Sequence, residues 1–324
     1  MEPWERQCGY DDVKQEWEKQ CMYVADIDGC VCLNEHGEFS RAPTRLKGVE
    51  LVHEWYYEMC ANGNFKRRRF IERWLRDDTK RAVLSIVFEP HVQTMAGVYN
   101  IFDGFVASKM PITIDTTGAD DSPIMNIVYN VFAAGNTDRA EYIMKWFASI
   151  LKKPMEPTRI ALCFCGGDWE YKQVFFSLII KRIIGSQYAG PRSGADVKND
   201  LLKRFANSHH HAVFVVVNAH HHKSLDKVFT RETYEYRTKG FVEPKTMPNY
   251  LNIAIATDEP ATPTMRQNPN LVVLDVAPTF DFEIVRRLRT CCSDPLVALA
   301  FYRRLMAIDV DGFQVTHHHA SLRQ

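Results

Sequence analysis

Arg159-Ile-Ala-Leu-Cys-Phe-Cys165 runs directly into Gly166-Gly167-Asp168-Trp169-Glu170-Tyr171-Lys172-Gln173. The first seven residues are a short apolar run that reads as a buried strand. The paired glycines read as a turn, and Lys172–Ile184 reads as a helix stopped by Gly185 just past its end. Gly166 and Lys172 have the spacing of the first Gly and the Lys in GxxxxGK[ST]. That motif wraps phosphates in glycine backbone, reaches the β/γ-phosphates with Lys and holds Mg²⁺ with Ser/Thr. Here Tyr171 stands at the second Gly position and Gln173 at the Ser/Thr position. Tyr at a position needing Gly-like geometry is strained or forces another loop conformation. Its ring also fills space that a phosphate needs. Gln173 has only a carbonyl oxygen to offer a metal in place of the hydroxyl. A Gly and a Lys at this spacing are common, so the pattern alone carries little weight.

The flanks give the stretch a context. Three further apolar runs read as buried strands: His211–Asn218, Tyr250–Thr257 and Leu271–Val276. Continuous apolar strands separated by helices indicate a mainly parallel sheet covered on both faces, so the fold class is α/β. Upstream, Thr137–Lys153 reads as a helix with one apolar face at i, i+3, i+4 spacing and an Asp138/Glu141 pair resembling a capping box. Residues 281–308 read as helical. The first segment is mixed: Cys21–Asp26 as strand, Asp28-Gly29 and His36-Gly37 as turns, 44–60 and 65–80 as helices, and Arg81–Phe88 as strand. The expected organisation is an accessory α+β region over 1–110, a helical linker over 111–157, the parallel-sheet core over 158–285 and a helical tail over 286–324.

Several elements occur in a characteristic order. They are Glu141-Tyr-Ile-Met-Lys-Trp146 with Pro154; the loop at 166–173; Val215-Val-Val-Asn218-Ala219; Leu225-Asp-Lys-Val-Phe-Thr230; Lys239-Gly240; and Ile255-Ala-Thr257-Asp258-Glu259. Phe70-Ile-Glu-Arg-Trp74, Val87-Phe-Glu-Pro90 and Asn100-Ile-Phe-Asp-Gly-Phe105 precede them, and Leu305–Phe313 follows. In this order and spacing the chain resembles, over roughly 65 to 324, the superfamily 3 helicases of viral and mobile-element primase-helicases. No single motif is specific. The resemblance implies a P-loop, AAA+-like core, ATP with Mg²⁺ as cofactor, ATP-dependent DNA helicase activity and ring oligomers. It places the degenerate Walker A at Gly166, Gly167, Lys172 and Gln173. It puts Asn218 and Ala219 where Walker B carries its acids, Asp258 where the sensor Asn belongs, and Arg266 in the arginine-finger region. It also aligns Tyr236, Arg237 and Lys239 with the segment leading to a hairpin that grips single-stranded DNA.

The departures imply loss of activity. Without the two acids there is neither a Mg²⁺ anchor nor a base to polarise water, and the base alone is worth about 10²–10⁴ in rate. The first expectation is a non-catalytic structural or regulatory partner in DNA replication, within a ring beside an active paralogue. The alternatives are a divergent active ATPase that recruits Asp168, Glu170 or Asp258, and a repurposed assembly scaffold of a virus or mobile element.

Composition bounds the rest. The 324 residues are 46% hydrophobic and 25% charged, with 40 basic and 40 acidic residues. Zero formal charge excludes a uniformly basic nucleic-acid coat protein. No apolar run reaches a membrane span, and the start of the chain carries no leader pattern, which places the protein in the cytoplasm or nucleus. Nine cysteines without a CxxC pair argue against a zinc ribbon and suggest reduced thiols. Cys163 and Cys165, in an apolar strand, are expected to be inert. The His triplets at 209–211, 220–222 and 317–319 read as polar loop tips, not metal sites, since adjacent strand residues point to opposite faces. Lys66-Arg67-Arg68-Arg69 is the densest basic cluster and reads as a solvated helix face before a nucleic-acid contact. Trp74, Trp146 and Phe147 read as core.

Overall fold

The computed structural model describes residues 9–32, 44–45, 55–91, 95–193, 212–218, 225, 228, 230–236, 245–278, 281–313 and 315. The chain divides between Phe102 and Asp103 into two compact units.

The first unit is mixed, as its sequence suggests. Helix α1 (Tyr10–Gln20) leads into β1 (Cys21–Val24), which returns through a turn at Asp28 to β2 (Gly29–Cys32). With β3 (Thr44–Arg45) and β6 (Ala82–Val83) these form a sheet ordered β3-β2-β1-β6. A separate hairpin joins β4 (Trp55–Met59) to β5 (Phe65–Arg69), and α2 (Phe70–Arg76) follows directly. Strands β7 (Ser85–Val87) and β8 (Val98–Asn100) pair in parallel. Tyr10, Tyr56, Phe70 and Trp74 build the core, and the Trp74 indole donates to Glu18 at 2.8 Å. Of residues 44–60, Thr44–Arg45 and Trp55–Met59 are strands, and of 65–80 only Phe70–Arg76 is helical. Aromatic Trp55-Tyr56-Tyr57 suits a pleated surface, with Tyr56 turned inward and its neighbours outward. The expectation of reduced thiols also fails at one pair. Cys21 and Cys32 lie directly opposite in the β1–β2 register, with Cα atoms 4.1 Å apart, and form a disulfide.

The second unit holds the parallel sheet. Its strands are β9 (Ala161–Cys165), β10 (Ala189–Ser193), β11 (Phe214–Asn218), β14 (Asn252–Thr257) and β15 (Leu271–Asp275). All neighbours are parallel, in the order β10-β11-β14-β9-β15. A short antiparallel pair, β12 (Thr233–Tyr236) and β13 (Lys245–Pro248), lies outside it. Both sheet faces are buried, which is why the strands read as unbroken apolar runs. One face is aliphatic and carries Val215, Val217, Ile253, Ile255 and Leu271. The other is aromatic. Phe164 meets Phe132 at 5.0 Å and Phe176 at 5.3 Å, and Phe214 meets Trp146 at 6.2 Å.

Trp146 and Phe147 come from α4 (Thr137–Lys152), whose N-cap is Asn136, accepting from the Arg139 amide at 2.9 Å, and not Asp138. The short α3 (Ser122–Asn126) precedes α4, and α6 (Pro263–Gln267) sits between β14 and β15. Residues 281–308 split into α7 (Phe282–Ser293) and α8 (Pro295–Ala307) because Pro295 cannot continue the first helix. The segments read as a linker and a tail therefore belong to the same unit as the sheet. Phe147 packs on Phe175, and Phe175 packs on Phe301 of α8. Among the described residues, no helix is long and apolar enough to cross a membrane.

Candidate functional site

Helix α5 (Trp169–Leu178) follows β9 after only Gly166, Gly167 and Asp168, and continues as a π-helical turn over Ile179–Ile184. It starts three residues before Lys172, so Tyr171 and Lys172 lie in its first turn. Asp168 caps it, accepting from the Glu170 amide at 2.7 Å. Both glycines have positive φ, +70° and +64°. A Cβ on Gly167 would lie 2.5 Å from Val276 Cγ1 and 2.9 Å from the Ala277 carbonyl oxygen. The turn is therefore pressed against the chain leaving β15, and only glycine fits. The Gly166 amide donates to the Glu259 carbonyl at 2.8 Å, tying the turn to the end of β14 as well.

In open parallel sheets a ligand crevice forms beyond the carboxyl ends of two neighbouring strands whose onward connections leave in opposite directions. Here those strands are β9 and β14. From β9 the chain goes to the β10 edge; from β14 it crosses to the β15 edge. Lys172 is at this point. Its side chain is wholly buried, and its Nζ donates to the Gly166 carbonyl at 2.6 Å and the Thr257 carbonyl at 2.7 Å. The Gly167 carbonyl lies at 3.5 Å, giving the ammonium a third acceptor. Burial pulls the Lys172 pKa down, and the charge of Asp258 opposes that. Beside it, Tyr171 is buried, and its hydroxyl accepts the Asp281 amide at 2.9 Å. An early helix start thus replaces the strain expected of a tyrosine in a glycine position.

Of the remaining residues, Gln173 is exposed on α5 and Asp258 is exposed just past β14. Asn218 ends β11, opposite Ser193 of β10. Arg266 is held by a two-pronged pair with Asp275, at 2.5 and 3.0 Å. Glu170 pairs with Arg289 at 3.1 Å. Tyr236 ends β12, while Ala219, Arg237, Lys239 and the three His triplets lie outside the described residues. Among the described residues no three His, Cys, Asp or Glu side chains gather as a metal site requires. Burial pushes the Cys165 thiol up to about 11, so it stays protonated at neutral pH. Asp281 and Val276, the partners of Tyr171 and Gly167, carry no motif of their own in the sequence, while Thr257, whose carbonyl meets Lys172, falls in the element ending at Asp258-Glu259.

Comparison with known proteins adds one likeness of fold. The A-form apo structure of the NrS-1 C-terminal region superposes with a TM-score of 0.62 at 14% identity, over 94% of this chain and 70% of that one. The apo structure of the NrS-1 C-terminal region 305–718 gives a TM-score of 0.62 at 14% identity, over 96% and 73%. A further A-form apo structure of that region gives 0.52 at 13% identity, over 85% and 72%. No protein-family model matches the chain. No curated protein matches it.

Proposed function

We propose that this chain is a helicase-like protein of nucleic-acid replication whose nucleotide crevice is closed by its own residues. In this reading it serves as a non-hydrolysing partner of an active, ring-forming ATPase. The observation that carries the reading is the Lys172 ammonium, shared between the Gly166 and Thr257 carbonyls at the switch point of the sheet. A phosphate-binding lysine must be free to reach a ligand, and this one has its donors taken. The mouth of α5 holds the Asp168 carboxylate, which repels a phosphate where a helix N-terminus would otherwise attract one. Only three residues separate strand and helix, too short a loop to wrap phosphates.

The residues present do not fit ATP and Mg²⁺. Asn218 and Ala219 supply no acid for the metal. Arg266 would have to leave Asp275 to act as a finger. The parallel sheet, its switch-point lysine and the ordered resemblance to superfamily 3 helicases support the P-loop ancestry. Tyr236, Arg237 and Lys239 remain the proposed strand-gripping segment by that resemblance.

The test is ATP turnover with and without single-stranded DNA, beside Lys172→Ala. The expected result is no turnover above background in either protein. DNA-stimulated turnover that disappears in Lys172→Ala would overturn the reading.

A further inference from the structure

The basic run Lys66–Arg69, read from sequence as a solvated helix face, is a strand, and that changes what it can do. In the β4–β5 hairpin the directly opposed pairs are Trp55/Arg69, Tyr56/Arg68, Tyr57/Arg67, Glu58/Lys66 and Met59/Phe65. Opposed residues share a face, and faces alternate along a strand. One face therefore carries Tyr56, buried against Tyr10 at 5.4 Å, with Arg68 and Glu58 paired at 3.1 Å. The other carries Trp55, Tyr57, Met59, Phe65, Arg67 and Arg69, and no acid.

This outer face stays open among the described residues. Met59 is 69% and Phe65 53% exposed. The Arg67 guanidinium lies over the Trp55 ring, 4.3 Å from its centre, with Arg69 behind it at 5.8 Å. Arg67 makes no ion pair among the described residues. Charge accounting separates the two faces. The groove on the inner side sets Arg68, Arg69, Arg73 and Arg76 against Asp11, Glu58, Glu72 and Asp77, so its charge cancels. On the outer face Arg69 pairs with Glu72 at 3.7 Å, and Arg67 keeps its positive charge on a chain whose total is zero.

We infer that this outer face binds single-stranded nucleic acid. Aromatic rings and guanidinium planes on one ribbon offer stacking surfaces for unpaired bases, with cations beside them for the phosphates. A duplex hides its base faces and would use only the charge. The surface lies wholly within the first unit and does not rest on the state of the nucleotide crevice.

The test is fluorescence anisotropy of a labelled oligo-dT with the full chain at several salt concentrations. Arg67→Glu and Phe65→Ala are both at exposed positions, and each is checked for an unchanged melting curve. The expected result is salt-sensitive binding that duplex DNA of equal length competes for poorly. Arg67→Glu should weaken it about tenfold or more and lower the magnitude of the salt slope by roughly 0.7. Phe65→Ala should weaken it about fivefold or more and leave the slope unchanged, because it removes stacking alone. Arg286→Glu, on exposed α7, should change nothing. Absence of binding, or binding that both hairpin variants retain, would overturn the inference. So would oligomerisation through this face, lost in Phe65→Ala, without any oligo-dT binding.

Discussion

The Lys172 ammonium lies 2.7 Å from the Thr257 carbonyl, 85 residues away in sequence, and 2.6 Å from that of Gly166. One side chain thereby ties the carboxyl ends of β14 and β9 together. If the lysine is a staple, its removal is a stability event. Lys172→Ala leaves buried carbonyls without donors and a cavity under the turn, and should cost about 2–5 kcal/mol. Urea unfolding of the second unit reports this as a lower midpoint. A variant as stable as the parent would mean that the carbonyls are satisfied without the lysine.

The two glycines of the turn should respond differently. Gly166→Ala meets nothing closer than 3.9 Å and suffers mainly from its positive φ, costing about 1 kcal/mol. Gly167→Ala adds contacts of 2.5 Å with Val276 and 2.9 Å with Ala277, and should cost several kcal/mol. Thermal melts of the pair test the ranking. Equal losses would show that the turn is not pressed against the chain after β15.

Tyr171→Phe removes the hydroxyl that accepts the Asp281 amide at 2.9 Å. Asp281 is the N-cap of α7, so the bond anchors the start of that helix to α5. The expected cost is about 1–2 kcal/mol, with the parent fold intact by circular dichroism. A gain in nucleotide affinity in this variant would instead point to the hydroxyl as a gate.

Buried thiols set an alkaline limit. Burial pushes Cys165 up to about 11 and Cys292 up to about 12. In the unfolded chain a thiol ionises near roughly 8.5. The folded state therefore holds these protons longer. The associated stability is complete below the unfolded value and is lost as pH rises through the folded ones. Each thiol should contribute a loss of about 1.4 kcal/mol per pH unit across that window. Urea midpoints at pH 7.5, 9 and 10.5 should fall in that order, and serines at both positions should flatten the decline.

The parallel sheet was legible because strands covered on both faces are continuous apolar runs, as in Ala161–Cys165 and Leu271–Asp275. Strand β10 was not, since Gly190 and Pro191 interrupt any strand pattern and are tolerated only at the sheet edge it occupies. The start of α5 was signalled by Asp168, a good N-cap residue, but the GxxxxGK spacing drew the boundary to Lys172. The distant partners of Lys172 and Tyr171 are a backbone carbonyl 85 residues away and a backbone amide 110 residues away, and a backbone group has no signature in a sequence. In the accessory unit, Trp55-Tyr-Tyr and Lys66–Arg69 fit a helix or a strand locally. Only the pairing of β4 with β5 decides between them.

The most direct test of the closed crevice is calorimetric titration of the full chain with ATP and Mg²⁺, beside Lys172→Ala. The account predicts no saturable heat up to millimolar nucleotide for either protein, with the variant measurably less stable. Saturable one-to-one binding by the parent, abolished in a Lys172→Ala protein of unchanged stability, would contradict it and return Lys172 to the role of a phosphate ligand.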